Sequence, residues 1–172
     1  NSNNIKDNTV YLDDYVYYIN GDNRIKLYDK NEERYLLGEH NLTDIMFVLG
    51  LSEILKLDIN KTKEAINNFK GLEHRLEFVG EYNGIKYYDD AIATIPEATI
   101  NAIKTLENVD TLIIGGKDRG IDYKPLIDYL NESNITNIIC MPETGYKIAD
   151  KLNRSYEKIE TLEDAVEYAK EH

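Results

Sequence analysis

Lys117 and Arg119 stand two residues apart inside Gly115-Gly116-Lys117-Asp118-Arg119-Gly120, directly after the apolar run Thr111-Leu112-Ile113-Ile114. Glycines let a ligand come close to the backbone. Two cations in an otherwise acidic chain can hold a carboxylate or a phosphate through charge-assisted hydrogen bonds. Turns use the same residue types, so the loop alone is a weak signal. It is not an ATP-phosphate loop, because both the glycine spacing and the closing Lys-Ser or Lys-Thr are missing. Upstream, Tyr88-Asp89-Asp90-Ala91-Ile92-Ala93-Thr94-Ile95-Pro96 ends a strand in paired carboxylates and leads through a threonine into a helix. Ligands of open α/β sheets sit beyond the carboxyl ends of strands, where this pattern puts Asp90 and Thr94. Orientation of a ribose or of a metal-bound water ranks above acid–base work for the two acids, and Thr94 could equally cap the helix. His74-Arg75 lies at a crossing between two patterns, and Arg75 can fork onto phosphate or ribose oxygens, with a solvated pair as the competing reading. Gly38-Glu39-His40-Asn41-Leu42-Thr43-Asp44 sits at a strand-to-helix junction, where Asn41 and Asp44 can address a planar polar ligand or can simply cap the helix.

The elements around these residues change character along the chain. Val16-Tyr17-Tyr18-Ile19 and Arg24-Ile25-Lys26-Leu27-Tyr28, separated by Asn20-Gly21-Asp22-Asn23, predict a hairpin, with Arg34-Tyr35-Leu36-Leu37 as a third short strand. Ile45, Val48, Leu49, Leu51, Ile54 and Leu55 then recur at helical spacing, and a shorter helix runs from an Asn60 cap through Phe69 to Gly71. Leu76 to Asp89 predicts a second hairpin turning at Asn83-Gly84 in the type I′ manner. From Pro96 onward helices alternate with the strands Thr111–Ile114 and Asn137–Cys140, and two last helices open at Thr144 and Thr161, each with a hydroxyl in the capping place. The fold class is α/β with a parallel sheet. The alternation calls for another strand after the helix over residues 161–172, so the chain reads either as cut before its sheet is finished or as ending on a terminal helix.

Composition narrows the function classes. A net charge of -12 repels polyphosphate backbones and argues against nucleic-acid binding, so any anionic ligand needs a local exception such as Lys117 and Arg119. No run approaches the roughly 20 apolar residues of a membrane span. The start, Asn1-Ser2-Asn3-Asn4-Ile5-Lys6-Asp7-Asn8, has no basic and apolar targeting pattern, which leaves a cytoplasmic address as the simplest expectation. The single cysteine, Cys140, lies in Ile138-Ile139-Cys140 and reads as a buried thiol rather than a nucleophile.

Taken in order, Gly38-Glu39-His40-Asn41, Gly71-Leu72-Glu73-His74-Arg75-Leu76-Glu77, Asp90-Ala91-Ile92-Ala93-Thr94 and Gly115-Gly116-Lys117-Asp118-Arg119-Gly120 resemble the signature of the Mur ligases, the ATP-dependent amide-forming enzymes of peptidoglycan synthesis. They are most similar to the members of that family that add D-glutamate. The resemblance covers nearly the whole chain, and the joint spacing is far more specific than any one segment. It implies that residues 1–70 are the end of the central ATP-binding domain and residues 71–172 a Rossmann-like C-terminal domain, truncated at its end. It implies nucleotide contacts from Asn41, Asp44, His74, Arg75 and Asp90, and amino-acid substrate contacts from Thr94, Lys117 and Arg119. The implied reaction activates the carboxylate of UDP-N-acetylmuramoyl-L-alanine as an acyl phosphate that the amine of D-glutamate attacks, with Mg2+ neutralising the phosphates of ATP. Three departures stand out. Asp44 replaces an asparagine that relatives commonly carry, and Ile92 stands where relatives can carry a lysine. The phosphate loop, the carbamylated lysine, the magnesium ligands and the UDP-binding domain all belong to parts of the family's chain that this one does not include, so no residue here is expected to be catalytic and the chain alone is expected to be inactive. Two other readings remain open: a stand-alone Mur-ligase-like module that binds a dicarboxylate or nucleotide, and a ligase of the folate polyglutamate synthetase type.

Overall fold

A computed structural model describes residues 8–172. The polar stretch over residues 1–7 lies outside the described residues. The chain divides after Tyr88 into two compact units.

The first unit opens with an antiparallel sheet of β1 (Val10–Leu12), β2 (Tyr15–Asn20) and β3 (Asn23–Asp29), in the order β1-β2-β3. The expected hairpin is present, with Asn20 paired to Asn23 across a two-residue turn. β1 was not legible, being three residues long with no turn signal of its own. The expected strand over Arg34–Leu37 does not form. Its backbone is instead held by Arg34, whose Nη1 donates to the carbonyls of Lys30 at 2.9 Å and Glu32 at 3.1 Å, and whose Nε donates to that of Leu36 at 3.1 Å. Two helices follow, α1 (His40–Ile54) and α2 (Ile59–Asn68). Leu42, Ile45 and Leu49 of α1 and Ile66 of α2 bury against Val16, Tyr18, Leu27 and Tyr28 of the sheet. Val48, Leu51, Ile54 and Leu55, also apolar, are exposed, because spacing marks every apolar position while one sheet face covers only one stripe. The cap of α2 is Asp58 rather than Asn60: its carboxylate accepts the backbone N–H of Asn60 at 3.0 Å and of Lys61 at 3.3 Å. A hairpin of β4 (Glu77–Tyr82) and β5 (Ile85–Asp89) forms a separate two-stranded sheet. Its turn residues Asn83 and Gly84 have φ of 54° and 82°, the left-handed pair that a type I′ turn demands.

The second unit is the expected α/β arrangement. In chain order it contains α3 (Pro96–Leu106), β6 (Thr111–Gly116), α4 (Lys124–Glu132), β7 (Asn137–Glu143), α5 (Thr144–Ala149), β8 (Glu157–Lys158) and α6 (Leu162–Glu171). β6, β7 and β8 form one parallel sheet in that order. β8 escaped sequence reading because two charged residues carry no apolar alternation; parallel pairing of Glu157 and Lys158 with Ile139 and Cys140 defines it. The core joins Ile103 of α3, Ile114 of β6, Leu126, Ile127 and Leu130 of α4, Ile138 and Cys140 of β7, and Ile148 and Ala149 of α5.

Cys140 is fully buried there, as its apolar neighbours foretell, and burial pushes its thiol up to about 11 despite the opposing charge of Lys158. At pH 8 only about one molecule in a thousand would carry the reactive thiolate. Ellman's reagent at pH 8 is therefore expected to leave the folded chain unmodified and to label it once urea unfolds it; prompt labelling without urea would contradict the burial.

Candidate functional site

β6 runs straight into the glycine-rich loop, and its last residue, Gly116, pairs with Glu143 at the end of β7 after a register shift at Ile114. The loop therefore lies beyond the carboxyl ends of parallel strands, where the sequence places Lys117 and Arg119. Four hydrogen bonds define its course. The Thr144 hydroxyl donates to the Gly116 carbonyl at 2.9 Å, and the Asp118 N–H donates to Glu143 Oε2 at 3.2 Å. Asp118 Oδ1 accepts the Gly120 N–H at 2.9 Å, and its Oδ2 accepts from Lys147 Nζ. The hydrogen bond from Lys147, followed by the one from the Gly120 backbone, holds the Asp118 carboxyl below its usual range, and the same contact raises Lys147. Lys117 and Arg119 flank this anchored aspartate with exposed side chains, neither of which has an ion-pair partner among the described residues. A cleft of about 290 Å³ borders the loop, lined by Asp118, Gly120, Tyr123, Lys147 and Lys151 among others.

Thr144 thus has a different task from the one its position suggests. α5 starts at Thr144 itself, its N-cap is Glu143 with no side-chain cap bond, and the threonine hydroxyl reaches across to β6. Thr161, by contrast, caps α6 as expected by accepting the Asp164 N–H at 3.1 Å.

Asp90 and Thr94 occupy the connection from β5 to α3. The Asp90 carbonyl accepts the Ala93 N–H at 2.9 Å, the Asp89 carboxylate accepts the Ala91 N–H at 2.9 Å, and Thr94 is exposed. Thr94 does not cap α3, whose N-cap is Ile95. The strand before Asp90 belongs to the β4–β5 hairpin and not to the parallel sheet, so the rule about strand ends applies to Lys117 and Arg119 but no longer to Asp90 and Thr94.

In the first unit, Asn41 lies in the first turn of α1, is 8% exposed, and donates from Nδ2 to the Leu37 carbonyl at 2.5 Å. Asp44 is exposed one turn further on. Neither is the helix cap; that position is Glu39, without a side-chain bond. His74 and Arg75 lie exposed in a tight turn in which His74 has a φ of 60°, the His74 N–H donates to Glu77 Oε2 at 2.8 Å and the Arg75 N–H to the Leu72 carbonyl at 3.2 Å. The Asn41 amide nitrogen is thus engaged within the chain, while the side chains of Asp44, His74 and Arg75 are exposed.

The family described as Mur ligase, glutamate ligase domain, matches residues 74–172, more than half of the chain. The chain belongs to the Mur ligase family. Its relatives include the UDP-N-acetylmuramoylalanine--D-glutamate ligase of Lachnoclostridium phytofermentans, 32% identical over 164 residues that make up 93% of this chain and 36% of that protein. The same-named ligase of a Thermoanaerobacter species is 35% identical over 97% of this chain and 36% of its own length, and that of Citrifermentans bemidjiense 36% identical over 78% of this chain and 30% of its own. The chain therefore spans about a third of the length of these Mur ligases. Two solved structures share the fold: UDP-N-acetylmuramate-alanine ligase MurC from Thermotoga maritima, with a TM-score of 0.61 at 23% identity over 80% of this chain and 34% of that one, and MurF from Acinetobacter baumannii, with a TM-score of 0.65 at 14% identity over 91% of this chain and 35% of that one. The resemblance carried by the four motifs is thus borne out at the level of the family and its α/β fold. Among the described residues, no helix of this Mur ligase chain is long and apolar enough to cross a membrane.

Glu143 and Lys147 were not singled out by sequence, and Thr144 only as a helix cap. Each stands some 25 to 30 residues from the loop it contacts, and no local signal links them.

Proposed function

We propose that this chain is part of an ATP-dependent ligase that joins D-glutamate to UDP-N-acetylmuramoyl-L-alanine in peptidoglycan synthesis, acting in the cytoplasm. The observation that carries this reading is the alignment of 93% of the chain or more with ligases named for D-glutamate addition. Residues 1–70 then supply the end of the ATP-binding domain and residues 71–172 the domain that presents the incoming amino acid. Asn41, Asp44, His74, Arg75 and Asp90 address the nucleotide; Thr94, Lys117 and Arg119 address the amino acid. Mg2+ belongs with the phosphates of ATP, where it would neutralise their charge, and its ligands lie in parts of the family outside this chain.

The chemistry available on the chain's own residues is binding and orientation. Two exposed cations beside strand ends can hold the carboxylates of D-glutamate, leaving its amine free to attack. The decisive assay is amide formation by the complete protein with ATP, UDP-N-acetylmuramoyl-L-alanine and a panel of amino acids, with the 172-residue chain assayed beside it. D-Glutamate is expected to be the preferred acceptor for the complete protein, and no amide is expected from the chain alone. Preference for another amino acid, or amide formation by the chain alone, would overturn the reading, and binding of a dicarboxylate without any ligation would favour a stand-alone binding module.

A further inference from the structure

We infer that Glu143, Thr144 and Lys147, at the junction of β7 and α5, are positioning residues that hold the Lys117–Gly120 loop in the geometry its substrate requires. The inference rests on the proposed reading that this loop meets the incoming amino acid. A segment with glycines at 115, 116 and 120 and no regular structure after Gly116 has little stiffness of its own. Its order comes from outside. Lys147 and Glu143 grip Asp118 through its carboxylate and its N–H respectively, while Thr144 grips the Gly116 carbonyl where the strand ends. Asp118 passes that restraint forward by accepting the Gly120 N–H, so both ends of the Lys117-Asp118-Arg119 tripeptide are fixed.

Two features separate this arrangement from ordinary packing. Thr144 is 4% exposed and sends its hydroxyl to the Gly116 carbonyl, while Glu143, the N-cap of α5, makes no side-chain cap bond and accepts the Asp118 N–H instead. Gly145, next to it, abuts the end of β6 so closely that a Cβ would collide with the Ile114 carbonyl oxygen, which sets the α5 start directly against the loop's origin. Asp118 is thereby occupied, and the cations on either side of it are exposed. A held aspartate between two cations without an ion-pair partner among the described residues keeps the acid from neutralising them, and it fixes their spacing for a substrate with more than one carboxylate.

The test uses the complete protein carrying Lys147→Met, an exposed position at which the core is undisturbed. If release leaves the loop competent a fifth of the time, the apparent KM for D-glutamate rises about fivefold, since apparent affinity falls with the competent fraction. The KM for ATP and the Tm should be unchanged, amide exchange at Asp118 and Gly120 should accelerate, and Lys147→Arg should restore both readouts. Unchanged exchange, faster exchange with an unaltered KM for D-glutamate, or a joint rise of both KM values with a fallen Tm would each overturn the assignment. Should the wild-type protein ligate no amino acid, the functional reading fails by that result, and the exchange at Asp118 and Gly120 decides the positioning role by itself.

Discussion

Arg154→Met is expected to destabilise the second unit by about 2–4 kcal/mol, the largest effect of any single side chain outside its apolar core. The guanidinium gathers the chain's loose ends. Nη1 donates to the Leu130 carbonyl at 2.8 Å, the Ser133 carbonyl at 2.7 Å and the Ser133 hydroxyl at 3.1 Å, and Nη2 donates to the Ile135 carbonyl. Leu130 lies in the last turn of α4, where its carbonyl also accepts the Ser133 N–H at 3.2 Å and the Ser133 hydroxyl at 2.9 Å, and a cation there meets the negative end of the helix dipole. Removing the fork takes the charged donor from the Ser133 and Ile135 carbonyls, which is the costly way to lose a hydrogen bond. Arg154 Nε, buried without a partner among the described residues, subtracts from the gain and keeps the estimate from being larger. Lysine cannot present a planar fork to three carbonyls, so Arg154→Lys should recover less than half of the loss. Urea unfolding followed by circular dichroism measures both variants, and a loss below about 0.5 kcal/mol for Arg154→Met, the range of an ordinary surface change, would refute the argument.

Arg119→Ala is expected to lower kcat/KM for D-glutamate in the complete protein by about 10- to 150-fold, the equivalent of one charge-assisted contact of about 1.5–3 kcal/mol. Arg119 is exposed beside the anchored Asp118, so its loss should leave stability within about 0.5 kcal/mol. Arg75→Ala, at the other proposed contact, should chiefly weaken the use of ATP. Steady-state kinetics with each substrate varied in turn distinguishes the two. Equal effects of both substitutions on both substrates would sink the division between nucleotide-facing and amino-acid-facing residues.

Elements with strong local chemistry are legible in the sequence alone. Asn83-Gly84 dictates a I′ turn because few other pairs tolerate two left-handed residues, and Thr161 caps α6 because its hydroxyl lies within reach of its own helix. Cys140 was legible as buried because its apolar neighbours in β7 leave no polar face. Where sequence reasoning failed, a partner distant in the chain had intervened. Arg34–Leu37 has strand-like residues but pairs with no strand among the described residues, because Arg34 ties it into a loop. Glu157 and Lys158 have no strand-like residues at all and become β8 because β7 offers them an edge.

The candidate site divides in the same way. Which residues could bind an anion, Lys117 and Arg119 in a glycine-rich loop following a strand, was determined by residue type and order, because charge and backbone freedom are properties of the residues themselves. The family was determined by the order and spacing of four motifs, since a signature that extends over most of a chain needs no three-dimensional information. What holds the loop was decided only in three dimensions. Thr144 has the sequence of a cap and the geometry of a tether, and the difference arises because β7 lies parallel to β6, bringing the start of α5 to the Gly116 carbonyl. A hydroxyl bonds to whichever acceptor the fold presents, and the sequence cannot say which one that is until the sheet has formed.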